Sequence, residues 1–169
     1  MGRTSVNQVF TKEDWKYYNN YMDAFKRDLA VSGLSKQKQE EIYNIVGYNV
    51  QMRVATNRVG TERNSLIDKQ AELIKKYKEE PNDAKARKLS VQIEELYPEI
   101  DALAKERDYF LQKFQETSAR AVALDRELTD ALVKQGYKID ARGRLRKGVS
   151  YRQSPTVKTR THIKQSQTR

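Results

Sequence analysis

The stretch LSVQIEELYPEIDALAKERDYFLQKFQETSARAVALDRELTDA, residues 89–131, decides the fold. Leu89, Ile93, Leu96, Ile100, Leu103, Arg107, Phe110, Phe114, Thr117, Ala121, Leu124, Leu128 and Ala131 follow one another at alternating steps of four and three, and eleven of these thirteen are apolar. That alternation averages 3.5 residues, close to one helical turn, so the positions form one stripe along a helix. Six heptads of it predict a long helix packed against another through a left-handed seam. Pro98 has no N–H to give to the helical ladder and is predicted to kink the helix there. Arg107 interrupts the stripe. A buried guanidinium without a partner costs several kcal/mol. Either Arg107 meets an acid on a partner helix and fixes register, or its stem lies on the seam while its head reaches water. Thr117 is a milder version of the same interruption.

Upstream, EPNDAK reads as a turn, with Asn82 or Asp83 capping the helix that follows. Pro81 disfavours helical geometry in Glu80, which ends the preceding helix. That preceding helix starts after Ser35, a good N-cap. Ile45, Met52, Val59, Leu66 and Leu73 recur every seven residues along it, a strong apolar row. The companion row, Ile42, Asn49, Thr56, Arg63, Gln70 and Tyr77, is largely polar. Two long helices about a short turn make an antiparallel hairpin. Pairing about residues 80–83 sets Leu66 near Leu96, Val59 near Leu103, Met52 near Phe110 and Arg63 near Asp101.

A shorter helix comes first, over about 12–31. Thr11 and Asp14 have the spacing of a capping box, and Phe10 and Trp15 that of a hydrophobic staple. Trp15, Tyr18, Met22, Phe25 and Leu29 recur at steps of three and four, and since three of the aromatic set Trp15, Tyr17, Tyr18, Tyr21 and Phe25 lie on that stripe, the set reads as a core face rather than a stacking platform. Gly33 in VSGLS suits a left-handed C-terminal cap. The expected fold is all-α, with a short N-terminal helix and corner (1–34), a long coiled-coil-like helical hairpin (35–135) and a basic, β-prone C-terminal tail (136–169).

Charge is distributed unevenly. Residues 137–169 hold ten Lys and Arg against the single acid Asp140, so +9 of the chain's net +10 lies there. YKID and RLRK flank a glycine-containing turn and read as a short β-hairpin. From about Ser150 the composition is too polar to order itself alone. Arg142, Arg144, Arg146, Lys147, Arg152, Lys158, Arg160 and Lys164 are candidate phosphate contacts, because neutralising phosphates releases counterions and gives sequence-blind affinity. Tyr151 adds a ring for base stacking. A second basic set, Lys26, Arg27, Lys36 and Lys38, surrounds the first helical corner. A solubilising tail, or one that docks on an acidic protein surface, is the plainer alternative.

Charged residues make up 33% of the chain and apolar residues 37%, with seven glycines, three prolines and no cysteine. Thiolate metal sites and disulfides are excluded. Nothing else has metal-ligand spacing, and no phosphate-cradling G-x-x-x-x-G-K occurs. His162 is the only histidine, and adjacent acids such as Glu94–Glu95 read as solvated faces. No catalytic, metal or cofactor residue is expected. Residues 1–10 lack a signal-like apolar run, and no stretch is apolar enough to span a membrane, so a cytoplasmic protein is expected.

The order of parts resembles that of the bacteriophage small terminase subunits. The likeness lies in FTKEDWKYYNNYMDAF leading into a helical corner, the long hairpin from VGYNVQMRV to KERDYF, and the basic end. It implies a ring-shaped homo-oligomer in the host cytoplasm that binds viral double-stranded DNA. It also implies recruitment of a separate large subunit carrying ATPase and nuclease. Lys26, Arg27, Lys36 and Lys38 match the family's N-terminal DNA-contacting region, and Arg142, Arg144, Arg146, Lys147 and Arg152 its basic tails. A compact helix–turn–helix domain is missing, which departs from the family. Self-association is expected on the residues' own account as well, because two helices cannot bury each other fully. The expected interface is Leu96, Ile100, Leu103, Arg107, Phe110 and Phe114. The competing expectation is a scaffolding coiled coil.

Overall fold

The computed structural model describes residues 2–139 and 145–147. Four helices and two short strands follow in chain order: α1 (Val6–Val9), α2 (Lys12–Ala30), α3 (Lys36–Glu79), α4 (Asp83–Lys134), β1 (Tyr137–Ile139) and β2 (Leu145–Lys147). The fold is all-α, and its two long helices, α3 and α4, pack against each other as the hairpin that residues 89–131 predict. α4 is continuous through Pro98.

Each start and stop has a local cause. Ser5 and Gln8 form a capping box at α1, a single turn the periodicity did not reveal. Thr11 and Asp14 form the expected one at α2: the Thr11 hydroxyl accepts from Asp14 N at 3.1 Å and the Asp14 carboxylate from Thr11 N at 3.0 Å. α2 ends where Gly33 takes φ +78°, a conformation in which a side chain is strained. The Ser35 hydroxyl then caps α3 by accepting from Lys38 N at 3.1 Å. After α3, the Asn82 side chain accepts from Lys85 N at 3.0 Å and starts α4.

The chain divides into two compact units that cut across its linear order. One unit holds residues 11–51 and 114–169. Its described helices are α2, the first part of α3 and the last part of α4. Tyr21, Met22, Phe25, Leu29, Ile42, Val46, Val50, Leu124, Leu128 and Leu132 are buried in it, so the α2 stripe is core, as its spacing predicts. Tyr21 and Phe25 stack with centroids 6.5 Å apart. Gly47 lets α2 come close: a Cβ there would stand 3.1 Å from Met22 Cε and 3.2 Å from Tyr18 Oη. Burial raises the Tyr18 hydroxyl pKa, with Tyr43 nearby adding to it. With a third helix present, α4 buries Asp125, Thr129 and Leu132 beyond its 4–3 stripe.

The other unit holds residues 1–10 and 52–113, in which α3 and α4 form the hairpin proper. Val9, Met52, Val59, Ile93, Leu96, Ile100 and Phe110 are its buried apolar residues, with Val54 and Ala55. The N-terminal segment is clamped onto it by Arg3. Its Nη2 donates to Glu62 on α3 at 2.9 Å and its Nε to Glu106 on α4 at 2.7 Å. Those hydrogen bonds, Glu62's first, raise the Arg3 pKa further.

The seam on α3 differs from the expectation that its apolar heptad row carries it. Met52 and Val59 are buried, but Ile45, Leu66 and Leu73 are only half-buried. Four of the six companion-row residues go inside instead, Ile42 at 0% exposed, Asn49 2%, Thr56 4% and Gln70 9%, while Arg63 is half-buried and Tyr77 exposed. Buried polar groups persist when hydrogen-bonded, and Asn49, Thr56 and Gln70 are. Asn49 Nδ2 donates to the Phe114 carbonyl at 3.1 Å and to Thr117 Oγ1 at 2.9 Å, with Ser118 Oγ at 3.3 Å. Thr56 donates to the Met52 carbonyl at 2.7 Å, and Gln70 Nε2 to the Ile93 carbonyl at 3.2 Å. The Asn49–Phe114 and Gln70–Ile93 pairs are centred on the same point of the turn, which is the pairing register the sequence sets. Arg107 lies on the face of α4 turned to α3. It is half-buried, and among the described residues it joins no ion pair. Its stem crosses α3 at Gly60, where a Cβ would lie 3.4 Å from Nε and 3.6 Å from Cδ.

Candidate nucleic-acid interface

α4 ends at Lys134, and a turn through Gln135 and Gly136, the latter at φ +98°, leads the backbone into β1. β1 and β2 then pair antiparallel, with Tyr137 opposite Lys147, Lys138 opposite Arg146 and Ile139 opposite Leu145. The register thus sets two cationic residues, Lys138 and Arg146, directly across from each other. Of the tail candidates, Arg146 and Lys147 lie on β2. Arg142, Arg144, Tyr151, Arg152, Lys158, Arg160 and Lys164 lie outside the described residues, as does the segment expected to be unstructured.

The corner set separates into three. Lys26 on α2 and Lys36 at the start of α3 are exposed and line one groove of about 370 Å³ with Leu29, Gln39, Glu40, Tyr43 and Asn44. Gln39, Tyr43 and Asn44 went unnamed in the sequence reading; their signal is the helical spacing of 36, 39, 40 and 43 on one face of α3. Lys26 and Lys36 offer two ammonium groups, and Glu40 offsets part of their charge. Arg27 is exposed in the last turn of α2, where a cation complements the helix dipole.

Lys38 is committed elsewhere. Its ammonium lies 2.9 Å from Glu41 and 3.7 Å from Glu127. The Glu41 hydrogen bond, then the Glu127 charge, raises the Lys38 pKa. The same hydrogen bond lowers the Glu41 pKa, and Arg120, which also pairs with Glu41, adds to this. Lys38 therefore belongs to a salt-bridge network joining α3 to α4, and little of its charge is free for a phosphate.

The residues expected to drive self-association are turned into their own chain. Leu96, Ile100 and Phe110 are buried, and Leu103, Arg107 and Phe114 half-buried, without a second copy. No group of acids or histidines among the described residues is arranged to hold a metal ion. Among them too, no helix is long and apolar enough to cross a membrane. Comparison with known proteins finds no matching family model, no matching curated protein and no matching solved structure.

Proposed function

We propose that this chain is a non-catalytic, self-associating nucleic-acid-binding protein: the helical hairpin is the scaffold, and the basic C-terminal segment captures the polyanion. Double-stranded DNA is the favoured ligand. The resemblance of parts gives the role of a small terminase subunit, which marks viral DNA for a separate ATPase and nuclease. The observation that carries the reading is the segregation of +9 of a net +10 charge into residues 137–169. Such a segment binds phosphate by counterion release. The Lys26–Lys36 groove is a second, smaller source of positive charge.

Titration of labelled duplex DNA with the full chain and with a form lacking residues 138–169 tests the reading. The full chain should bind, with affinity falling steeply as salt rises, and truncation should remove most of the binding. Equal binding by both forms would move the site to the Lys26–Lys36 corner. Binding by neither would overturn the reading in favour of a scaffold whose basic segment docks on an acidic protein surface.

A further inference from the structure

Residues 87–95, RKLSVQIEE, are their own charge mirror. Arg87 and Lys88 stand four and three residues before Val91, and Glu94 and Glu95 stand three and four after it. Steps of three and four share a helix face, so the five residues make one patch on α4. All five are exposed, Val91 to 56%. Ile93, buried, and Leu89, half-buried, face the hairpin instead. Among the described residues, none of the four charges forms an ion pair within the chain. Ala84 and Pro98, seven residues to either side of Val91, are also exposed and carry nothing long enough to hold a second helix away.

We infer that this face of α4 is where two copies of the chain meet, antiparallel, about a two-fold axis at Val91. The inference rests on the self-association put forward above and names its surface. A two-fold contact must be self-complementary, and this patch is. Turned end for end, Arg87 of one copy faces Glu95 of the other, Lys88 faces Glu94, and the two Val91 side chains meet at the axis. A parallel pair would set like charge against like. The patch is separate from the seam of Leu96, Ile100 and Phe110, which one chain already buries. From Ala84 to Pro98 it runs about 21 Å along the helix. That is a small contact, so the pairing is of the weak, concentration-dependent kind.

The test is the mass of the nuclease-treated full-length protein by sedimentation equilibrium across a concentration series. Two variants give the patch a single sign: Arg87→Glu with Lys88→Glu, and Glu94→Lys with Glu95→Lys. Each should weaken self-association at least about tenfold, and an equimolar mixture of the two should restore it, because opposite charges then face each other throughout. Val91→Glu, a single exposed change, should weaken it too and serves if either double variant loses its helical circular dichroism. If the natural chain associates and neither the double variants nor Val91→Glu weakens it, this surface is refuted and self-association stands. A natural chain that stays monomeric throughout refutes both.

Discussion

Asn49 gives the sharpest test of the buried polar row. Its amide donates to the Phe114 carbonyl and the Thr117 hydroxyl from a site only 2% exposed. Asn49→Ala removes both donations. Each is worth about 1 kcal/mol net. The acceptors are not stranded, since the Thr117 and Ser118 hydroxyls both reach the Phe114 carbonyl, at 3.1 and 2.7 Å. The expected loss is therefore about 2 kcal/mol, a fall in Tm of about 4–8 °C for a chain of this size. Asn49→Asp keeps the shape but turns the donor into a buried carboxylate aimed at a carbonyl. It should cost more, about 3 kcal/mol or above at neutral pH. Because burial raises that carboxyl's pKa, the added cost should be recovered as pH falls through the raised value. Urea denaturation followed by circular dichroism measures all three. A loss below about 0.5 kcal/mol for Asn49→Ala, or an Asp variant milder than the Ala variant, would refute the network.

Gln70→Ala should cost about 1 kcal/mol and add to Asn49→Ala, because the two sites share no partner; urea denaturation of the double variant checks this. Arg3→Ala removes hydrogen bonds to Glu62 and Glu106. It should cost about 1–2 kcal/mol after allowing for solvent screening and free residues 2–10 for hydrogen exchange, and Arg3→Lys should recover only part, since one ammonium replaces two separated donors. Gly60→Ala should stabilise by about 0.5–1 kcal/mol, as its Cβ would meet only the Arg107 side chain at ordinary contact distance, whereas Gly47→Ala should gain less against Met22 and Tyr18; thermal melts of the pair decide. The Glu41 pKa lies below its usual 4.5, so its ion pairs stabilise above that pH and are lost as pH falls through the lowered value. Glu41→Gln should accordingly lower Tm at neutral pH, less so in high salt, and match the natural chain in strong acid.

The helices were legible where a local rule is strong. Thr11–Asp14, Ser35 and Asn82 mark starts, Gly33 and Pro81 mark stops, and the 4–3 run of α4 contains no exposed member. α1 was missed because one turn has no periodicity, although the Ser5–Gln8 spacing was a readable cap. The α3 seam was misjudged because polarity is a poor guide to exposure once a partner exists. Asn49 finds its acceptors more than sixty residues away, and only the fold brings them together. For the same reason Lys38 read as a phosphate candidate: Glu127 is remote in sequence and 3.7 Å distant in space. Lys26 and Lys36 share a groove only because Gly33 folds the corner back.

Only Glu80, Pro81 and Asn82 separate the two long helices. Were those residues to continue the spiral, α3 and α4 would fuse, and each half would find the same contacts on another molecule. Such an exchange puts identical segments in the same contacts, so the break at residues 80–82 is what keeps those contacts within one chain here. Pro81 favours the break by disfavouring helical geometry in Glu80, and the Asn82 cap of α4 adds to it.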